Sequence, residues 1–438
     1  MTSPWQHAPA RIRDAQDRRL RELVALAWDH VPFYRRLWGE AGVDPGDISG
    51  VDDLALLPTW SVSEQRASLA AAPPFGEHVV DDLGDDVALI ISSGGTTGRQ
   101  RLMPVTSDDR RRAAAMMADG MRLRGGGPSD VVQITWPLGT TLAAWAFTWA
   151  AEGVGATLLP ASGGRNTPSE RQLDYIVQAG TTVLACTATY ASHLADVADE
   201  LGIDAASTTV RLLMLSGETV SPTTRRQLGE RWGADVSDLY GNSDILSWPA
   251  VDCPDTIAGH GGIGKHVWEE HSILEILDAE ERPAASGEYG NLTVTSWVWR
   301  SSPKIRYRTN DAASLTRGTC SCGRDGLFLS PIAGRYDDMM KIKGVNLWPL
   351  DIEAALKALD GGIREYAALA EGTASDEWLR VEIERDGNAP LPADAAEKLT
   401  RLLNVRTRVD AVAPGATADR TGAGVAAKVR RCHDLRSR

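Results

Sequence analysis

The hydrophobic pattern of this chain changes period several times, and each change marks a predicted element. Over residues 9–42, Leu20, Leu23, Val24, Ala27 and Trp28 recur at helical spacing until Val31-Pro32-Phe33-Tyr34 breaks the run. The following AGVDPGDISGVDDLALLPTW is turn chemistry leading into a short apolar helix. Short apolar runs then appear at Val87–Ile91, Val131–Thr135, Ala156–Pro160, Thr182–Ala185 and Arg211–Leu215, the first of them predicting a buried strand. Helical patterns at 142–152, 168–179, 190–201 and 222–231 separate the later runs. Strands alternating with helices predict a layered α/β domain with a largely parallel sheet. From about residue 270 the strands come close together, at Ile273–Ile276, Asn291–Thr295, Ile305–Arg308 and Gly326–Leu329, which predicts an antiparallel β unit. A helix at 350–359, strands near 364–370 and 378–384 and a helix at 391–403 predict a small α+β lid. The expected fold class is therefore α/β, with a large layered N-terminal domain over residues 1–335 and a mobile C-terminal lid over 336–438.

The joint between the two is GRYDDMMKIKGVNLWPLDIE, Gly334–Glu353. Arg335, Asp337, Asp338, Lys341 and Lys343 surround an apolar Met339-Met340-Ile342 run, and Gly344 and Pro349 punctuate it before Asp351 and Glu353 open a helix. Such a segment reads as half strand and half hinge, with its charges aimed at a polyanionic ligand.

Composition narrows the function classes. A chain of 438 residues is long for one core, so two or three domains are expected. Its 43% hydrophobic and 24% charged residues suit a folded globular protein. The net charge of −13 argues against a nucleic-acid partner, which calls for a basic face. The one basic run, Lys428–Arg438, reads as a solvated tail. The N-terminal MTSPWQHAPARIRDAQDRRL has no apolar h-region and no run of about 18 apolar residues occurs, so neither signal peptide nor membrane span is expected. Five cysteines make no disulfide framework, and the expected address is the cytoplasm.

Three motifs carry candidate chemistry. In SSGGTTGRQRLMPVT, Ser92–Thr106, glycines and small hydroxyls after a strand let backbone N–H groups turn toward phosphate oxygens, with Arg99 or Arg101 as a neutralising cation. The run lacks the GK[ST] ending of a Walker loop, so a P-loop nucleotidase is not supported. In Leu215-Ser-Gly-Glu-Thr219 and Leu239-Tyr-Gly-Asn-Ser-Asp244, a tyrosine beside a glycine can lie on a purine, and the hydroxyl and carboxylate can reach a phosphate and its Mg²⁺. In Lys304-Ile-Arg-Tyr-Arg-Thr-Asn-Asp311, the final aspartate can accept both hydroxyls of a ribose.

SSGGTTG, YGNSD, YRTND and GRYDDMMKIKGVN, in that order, resemble the successive core motifs of the adenylate-forming superfamily of acyl-CoA synthetases, peptide-synthetase adenylation domains and luciferases. HVPFYRRLWGEAGVDPGDISGVDDLALLPTWS and HVWEEHSILEI are similar to the phenylacetate-CoA ligase branch, and the match runs from about residue 12 to the C-terminus. The resemblance implies ATP as substrate, with Ser93, Gly94, Thr96, Thr97 and Gly98 on the triphosphate. Gly217, Glu218 and Tyr240 would line the adenine, Thr219 and Gly241 would belong to the same nucleotide-binding set, and Ser243 and Asp244 would sit near the α-phosphate and Mg²⁺. Asp311 and Arg335 would bind the ribose, and Asp337 would be the hinge. Trp136–Thr140, Cys186–Tyr190, Gly241–Asn242 and Ile245–Trp248 would build the acyl pocket. Asp244, Thr97 and Lys428 are the catalytic candidates.

The chain departs from the family pattern at several places. Asp244 stands where glutamate is usual, Gly94-Gly95 where one glycine is usual, Arg99 where lysine is common, and Asn310 where a glycine or charged residue precedes the aspartate. The usual glycine-lysine motif near the C-terminus reads Arg420-Thr-Gly-Ala-Gly-Val-Ala-Ala-Lys428, which leaves open whether Lys428 or an apolar residue, Val425 or Ala426, takes the lysine's place.

A metal site is the last candidate. Cys320-Ser-Cys322 is a CxC pair, and Cys253, His260 and His266 precede it, a donor set that suits tetrahedral Zn²⁺. The Gly-x-His-x-Trp-Glu pattern favours His266 and the spacing to Cys253 favours His260. The resemblance to the phenylacetate-CoA ligase branch, some members of which carry a zinc on a Cys, a His and a CxC pair, implies such a site here, and the closed set implies a structural role.

The expected function is ATP-dependent adenylation of an aryl carboxylate (phenylacetate-, benzoate- or cinnamate-like) and transfer to coenzyme A. The alternative is a secondary-metabolic relative with another acid or an amine acceptor, such as a nitrite-activating diazotase or an amide-forming ligase. A third reading, a nucleotide-binding pseudoenzyme, is opposed by the ribose aspartate, the arginine and the phosphate loop. A homodimer is common among relatives.

Overall fold

In a computed structural model of the chain, the helix expected over residues 9–42 is two helices, Ala10–His30 and Pro32–Ala41. Val31 is extended between them (φ −121°, ψ 103°). The ring of Pro32 disfavours a helical residue before it, yet costs nothing at the first position of the next helix. The structure describes residues 9–93, 100–163, 166–255, 264–359, 362–373, 376–385, 390–421 and 430–436. They form two compact units. The first runs through Thr309 and takes in Ala313–Pro331; the second holds Asn310–Ala312 and the chain from Ile332 onward.

In the first unit, β1 (Val87–Ser92) and β2 (Leu102–Thr106) pair antiparallel as a two-stranded ribbon. Exposure alternates along much of β1, so the strand expected to be buried is half-exposed. β3 (Val131–Ile134), β4 (Thr157–Leu159), β5 (Val183–Cys186), β6 (Leu212–Leu215) and β7 (Asp235–Asn242) lie parallel in the order β4-β3-β5-β6-β7. β8 (Ser247–Val251) and β9 (Lys265–Val267) continue that sheet antiparallel. β10 (Ser272–Leu277), β11 (Gly290–Ser296) and β12 (Lys304–Ala313) make a second sheet, while β13 (Leu315–Thr319) and β14 (Asp325–Leu329) return to the first through a β14–β9 pairing. The antiparallel unit expected to include Gly326–Leu329 is thus divided: that strand belongs to the large sheet.

Alternate strand residues face opposite layers, as the two-residue period of a strand requires. Val183, Ala185, Leu212 and Met214 pack with Met116, Met117 and Phe147 from helices Ser107–Leu123 and Leu142–Val154. Leu184, Leu213 and Leu215 pack with Leu173, Leu194 and Trp232 from helices Ser169–Ala179, Ala188–Glu200 and Pro222–Trp232. Burying these side chains supplies on the order of 1.5–3 kcal/mol each. The second sheet carries a buried ion pair in which Arg306 donates from Nε and Nη2 to both oxygens of Glu275, at 3.2 and 3.1 Å. Arg306 also donates to the Leu57 carbonyl at 2.6 Å, which ties the N-terminal segment to β12.

In the second unit, β15 (Gly334–Arg335) pairs antiparallel with the end of β12, Asp311 opposite Arg335. β16 (Met340–Ile342) and β17 (Val345–Leu347) form a hairpin whose two-residue turn, Lys343-Gly344, has positive φ at both positions (48° and 85°). Helix Pro349–Lys357 follows. β18 (Ile363–Thr373), β19 (Asp376–Arg385), β20 (Thr407–Val412) and β21 (Cys432–Asp434) form a sheet in the order β20-β19-β18-β21, with helix Ala395–Leu403 before β20. Charges of the joint expected to face a polyanion are largely engaged within this unit. Lys343 Nζ lies 3.3 Å from Asp376 and Asp338 3.0 Å from Arg430, while Lys341 stays exposed. Among the described residues, no helix is long and apolar enough to cross a membrane.

Candidate active site

The phosphate-loop candidate begins where β1 ends. Ser92 donates from its amide to the Thr140 carbonyl at 2.6 Å and from its hydroxyl to Thr140 Oγ1 at 2.7 Å. Ser93 is buried, and its amide donates to the Arg101 carbonyl at 3.2 Å. Gly94, Thr96, Thr97, Gly98 and Arg99 lie outside the described residues, as do Lys428 and His260.

Arg101, expected to neutralise phosphate, is committed elsewhere. Its guanidinium donates to Ser93 Oγ at 3.1 Å and to Gln65 Oε1, and Nη2 donates to Asp244 Oδ2 at 3.1 Å. Nη1 stands 2.9 Å from Asp244 Oδ1. Asp244 reaches that position because Asn242 Oδ1 accepts its amide at 2.8 Å and opens a short turn, Ser243–Ile245. Tyr307 donates its hydroxyl to the same Oδ2 at 3.1 Å. A divalent ion on the Asp244 carboxylate, at the ~2.1 Å that Mg²⁺ demands, would stand against a fixed guanidinium. Asp244 as arranged does not fit the metal role expected for it.

The two glycines flanking the purine candidates are covered by indoles. Gly217, at φ +82°, has its backbone so close to Trp136 that an added Cβ would come within 2.9 Å of the ring. Gly241 stands likewise under Trp248, at 2.7 Å. Trp248 packs on Phe147 with ring centroids 4.7 Å apart. Tyr240 is buried on β7, 7% exposed, and Thr219 is exposed. Glu218 accepts from the Thr189 amide and hydroxyl at 3.2 and 2.7 Å, capping the first turn of the helix after β5. In the second unit, Arg335 donates to Asp311 Oδ1 at 2.6 Å and Asn310 donates to Asp337 Oδ2 at 2.6 Å.

Lys304 escaped the sequence reading. It is fully buried at the start of β12, its ammonium 4.7 Å from the Trp299 ring centroid, 5.2 Å from Trp60 and 5.9 Å from Tyr307. Its protons go to Ser302 Oγ at 2.8 Å and the Ser302 carbonyl at 3.3 Å. Burial pushes the ammonium down to about 7, with Asp244 opposing and Arg101 adding to the fall. The unfolded chain therefore holds this proton more tightly, and stability rises as pH climbs from about 7 toward the unfolded value of 10.5. Below about 7 both states are protonated and folding carries the full cost of burying the charge. Lys304→Met should remove this slope. The stability of wild type relative to the variant is expected to rise by about 3 kcal/mol between pH 6.5 and 9.5, read from urea unfolding at the two pH values.

The metal candidates converge. Cys253 follows β8, His266 lies on β9, and Cys320 and Cys322 sit in the turn between β13 and β14. The pairings His266 with Val251 and with Phe328 bring these strands side by side. The four ligand atoms lie within 4.8 Å of one another. Cys253 and Cys320 sulfurs are 3.7 Å apart, and His266 Nε2 is 3.4 Å from Cys253 Sγ and 3.5 Å from Cys322 Sγ. Ligands at zinc bond lengths on a tetrahedron stand about 3.8 Å apart for two sulfurs and about 3.6 Å for sulfur and nitrogen, so the residues fit Zn²⁺. Burial and Arg324 push His266 down to about 4, which keeps the imidazole neutral, as a ligand must be. Three thiolates would leave the centre with one negative charge. Arg124, 1% exposed, lies 3.8 Å from Asp252 beside Cys253, and its Nε and Nη1 have no hydrogen-bond partner among the described residues.

The AMP-binding enzyme family matches residues 33–297. A phenylacetate-coenzyme A ligase of Thermus thermophilus is 31% identical over 409 residues, which cover 91% of this chain and 88% of that protein. Novobiocin biosynthesis protein H of Streptomyces niveus is 27% identical over 247 residues, 49% of this chain and 38% of that protein. Among solved structures, 2-hydroxyisobutyryl-CoA ligase in the postadenylation state with an acyl-AMP bound superposes with a TM-score of 0.83 at 25% identity, covering 99% of this chain and 91% of that one. With an AMP-binding match over more than half its length, and that Thermus relative aligned over nine-tenths, the chain belongs to the adenylate-forming superfamily as a phenylacetate-CoA ligase-like, AMP-forming ligase.

Proposed function

We propose that this enzyme adenylates an aryl carboxylate of the phenylacetate, benzoate or cinnamate type with ATP and transfers the acyl group to coenzyme A. The observation that carries the aryl assignment is the pair of indoles, Trp136 and Trp248, laid against Gly217 and Gly241 where the acyl pocket is expected. Flat indole faces suit contact with a planar aryl acid. The Thermus relative bears the name of a phenylacetate ligase, which agrees with the assignment.

The reaction has two halves. A carboxylate oxygen attacks the α-phosphorus in line, the bond from the α-phosphorus to the α,β-bridging oxygen breaks, and pyrophosphate leaves with that electron pair. The coenzyme A thiol, losing its proton, then attacks the acyl carbon and AMP leaves. In this reading Asp311 accepts the ribose hydroxyls, Arg335 holds Asp311 in place, Gly217–Thr219 and Tyr240 border the adenine, and Ser93 leads the phosphate loop. The protein's contribution is positioning and charge stabilisation. Lys428 is kept as the candidate for the superfamily's C-terminal lysine. The Cys253, His266, Cys320 and Cys322 centre holds a structural Zn²⁺ in the same proposal, since four protein ligands leave no open position. Mg²⁺ accompanies the nucleotide.

A second reading has one specific support. Similarity to a novobiocin biosynthesis protein favours a secondary-metabolic acid or an amine acceptor, including nitrite activation or amide formation. Incubation with ATP, Mg²⁺, coenzyme A and a panel of aryl acids, followed by mass spectrometry, separates the two. An acyl-CoA from one aryl acid is the expected product. Product formation only with nitrite and an aryl amine, or an amide in place of a thioester, would transfer the enzyme to the second reading.

A further inference from the structure

Asp244 already has a cation. Its side chain and that of Arg101 are 15% and 8% exposed, and the two groups face each other in a nearly bidentate pair. The guanidinium spends its remaining donors on Ser93 Oγ and Gln65 Oε1, so it is clamped on three sides. Tyr307 and the Asn242-capped turn fix the carboxylate in the same way. Of the two oxygens, Oδ1 is buried and receives no aligned hydrogen bond among the described residues, yet Arg101 Nη1 stands 2.9 Å from it. The open lone pair therefore faces a positive charge that cannot move away without breaking hydrogen bonds to Ser93 and Gln65.

We propose that Arg101 is a positioning residue that acts as the enzyme's built-in cation on Asp244. It joins the head of the phosphate loop, at Ser93, to the Ser243–Ile245 turn, and it excludes a protein-bound divalent ion from that carboxylate. Mg²⁺ then enters only on the nucleotide. A planar guanidinium suits this task because it can bind a carboxylate with two nitrogens while its third reaches the loop. The inference rests on the adenylating reading of the site but is tested without any acid substrate, so the two can fail separately.

Mn²⁺ titration of the nucleotide-free, zinc-loaded enzyme, followed by electron paramagnetic resonance, is the test. Wild type is expected to show no Mn²⁺ site that depends on Asp244. Arg101→Gln should create one, with at least a tenfold gain in affinity, and Arg101→Gln with Asp244→Asn should abolish it. A role confined to folding would not produce a gained metal site. A wild-type Mn²⁺ site lost on Asp244→Asn would overturn the proposal, and so would equal Mn²⁺ binding in wild type and a folded Arg101→Gln. If Arg101→Gln does not fold, wild type against Asp244→Asn decides alone.

Discussion

Replacing Cys320 by serine is expected to empty the thiolate centre and lower the stability of the first unit by at least about 4 kcal/mol. In a unit of this size that is a fall of roughly 6 °C in melting temperature. The centre joins four strands at one end of the nine-stranded sheet, β8, β9, β13 and β14, and its CxC turn adds two backbone bonds, Cys320 to Arg324 and Gly323 to Cys320, at 2.8 and 2.9 Å, to the β13–β14 ladder. Without the ion, three sulfurs and an imidazole are left packed against Phe328 and Leu123, held near one another by the strand pairings alone. Elemental analysis should find one zinc per wild-type chain and less than a tenth of that in the variant. A strong chelator should reproduce the melting shift in wild type and leave the variant unmoved. A wild-type chain that is metal-free yet equally stable would contradict the assignment.

Asp311→Ala is expected to lower kcat/KM for ATP by on the order of 10²–10⁴-fold, two charge-assisted hydrogen bonds to a ribose being worth about 1.5–3 kcal/mol each. Arg335→Ala leaves the carboxylate in place but removes its 2.6 Å partner, so a smaller loss, about tenfold, should follow. The ordering matters more than either value. If Arg335→Ala costs more than Asp311→Ala, the arginine contacts the nucleotide itself rather than orienting the aspartate. A 2′,3′-dideoxy nucleotide should lose its disadvantage in Asp311→Ala, because the missing hydroxyls have no acceptor left to miss.

Elements whose local pattern agreed with their burial were legible in the sequence. β3, β5 and β6 are short apolar runs buried on both faces, and their helices repeat at the helical period. β7 was not, because Ser237 and Asp238 are polar residues buried on a strand. Ser237 donates to Asp252 at 2.8 Å and Asp238 pairs with Lys265 at 2.9 Å, partners that no local pattern shows. β8 contains Pro249, which argues against a strand until its amide-free position is seen. β1 misled in the other direction: VALII reads as a core strand, yet it lies in a ribbon of two.

The candidate site divides along the same line. The motifs were legible as strings, and among the described residues Cys253, His266, Cys320 and Cys322 bring their ligand atoms within 4.8 Å of one another. What the string could not show is which charges cancel. Arg101 and Asp244 are separated by 143 positions, and the buried Lys304 is housed by Trp60, Trp299 and Tyr307 from three segments. Lysine in a strand reads as an edge residue. Only the assembled rings make a buried ammonium tolerable.

The central claim is adenylation, and ATP–pyrophosphate exchange measures it without any acceptor. With Mg²⁺, labelled pyrophosphate and a panel of aryl acids, label should return to ATP with one class of acid only, and AMP rather than ADP should accumulate when pyrophosphate is removed. No exchange with any acid while ATP still binds, or release of ADP and phosphate, would contradict the account.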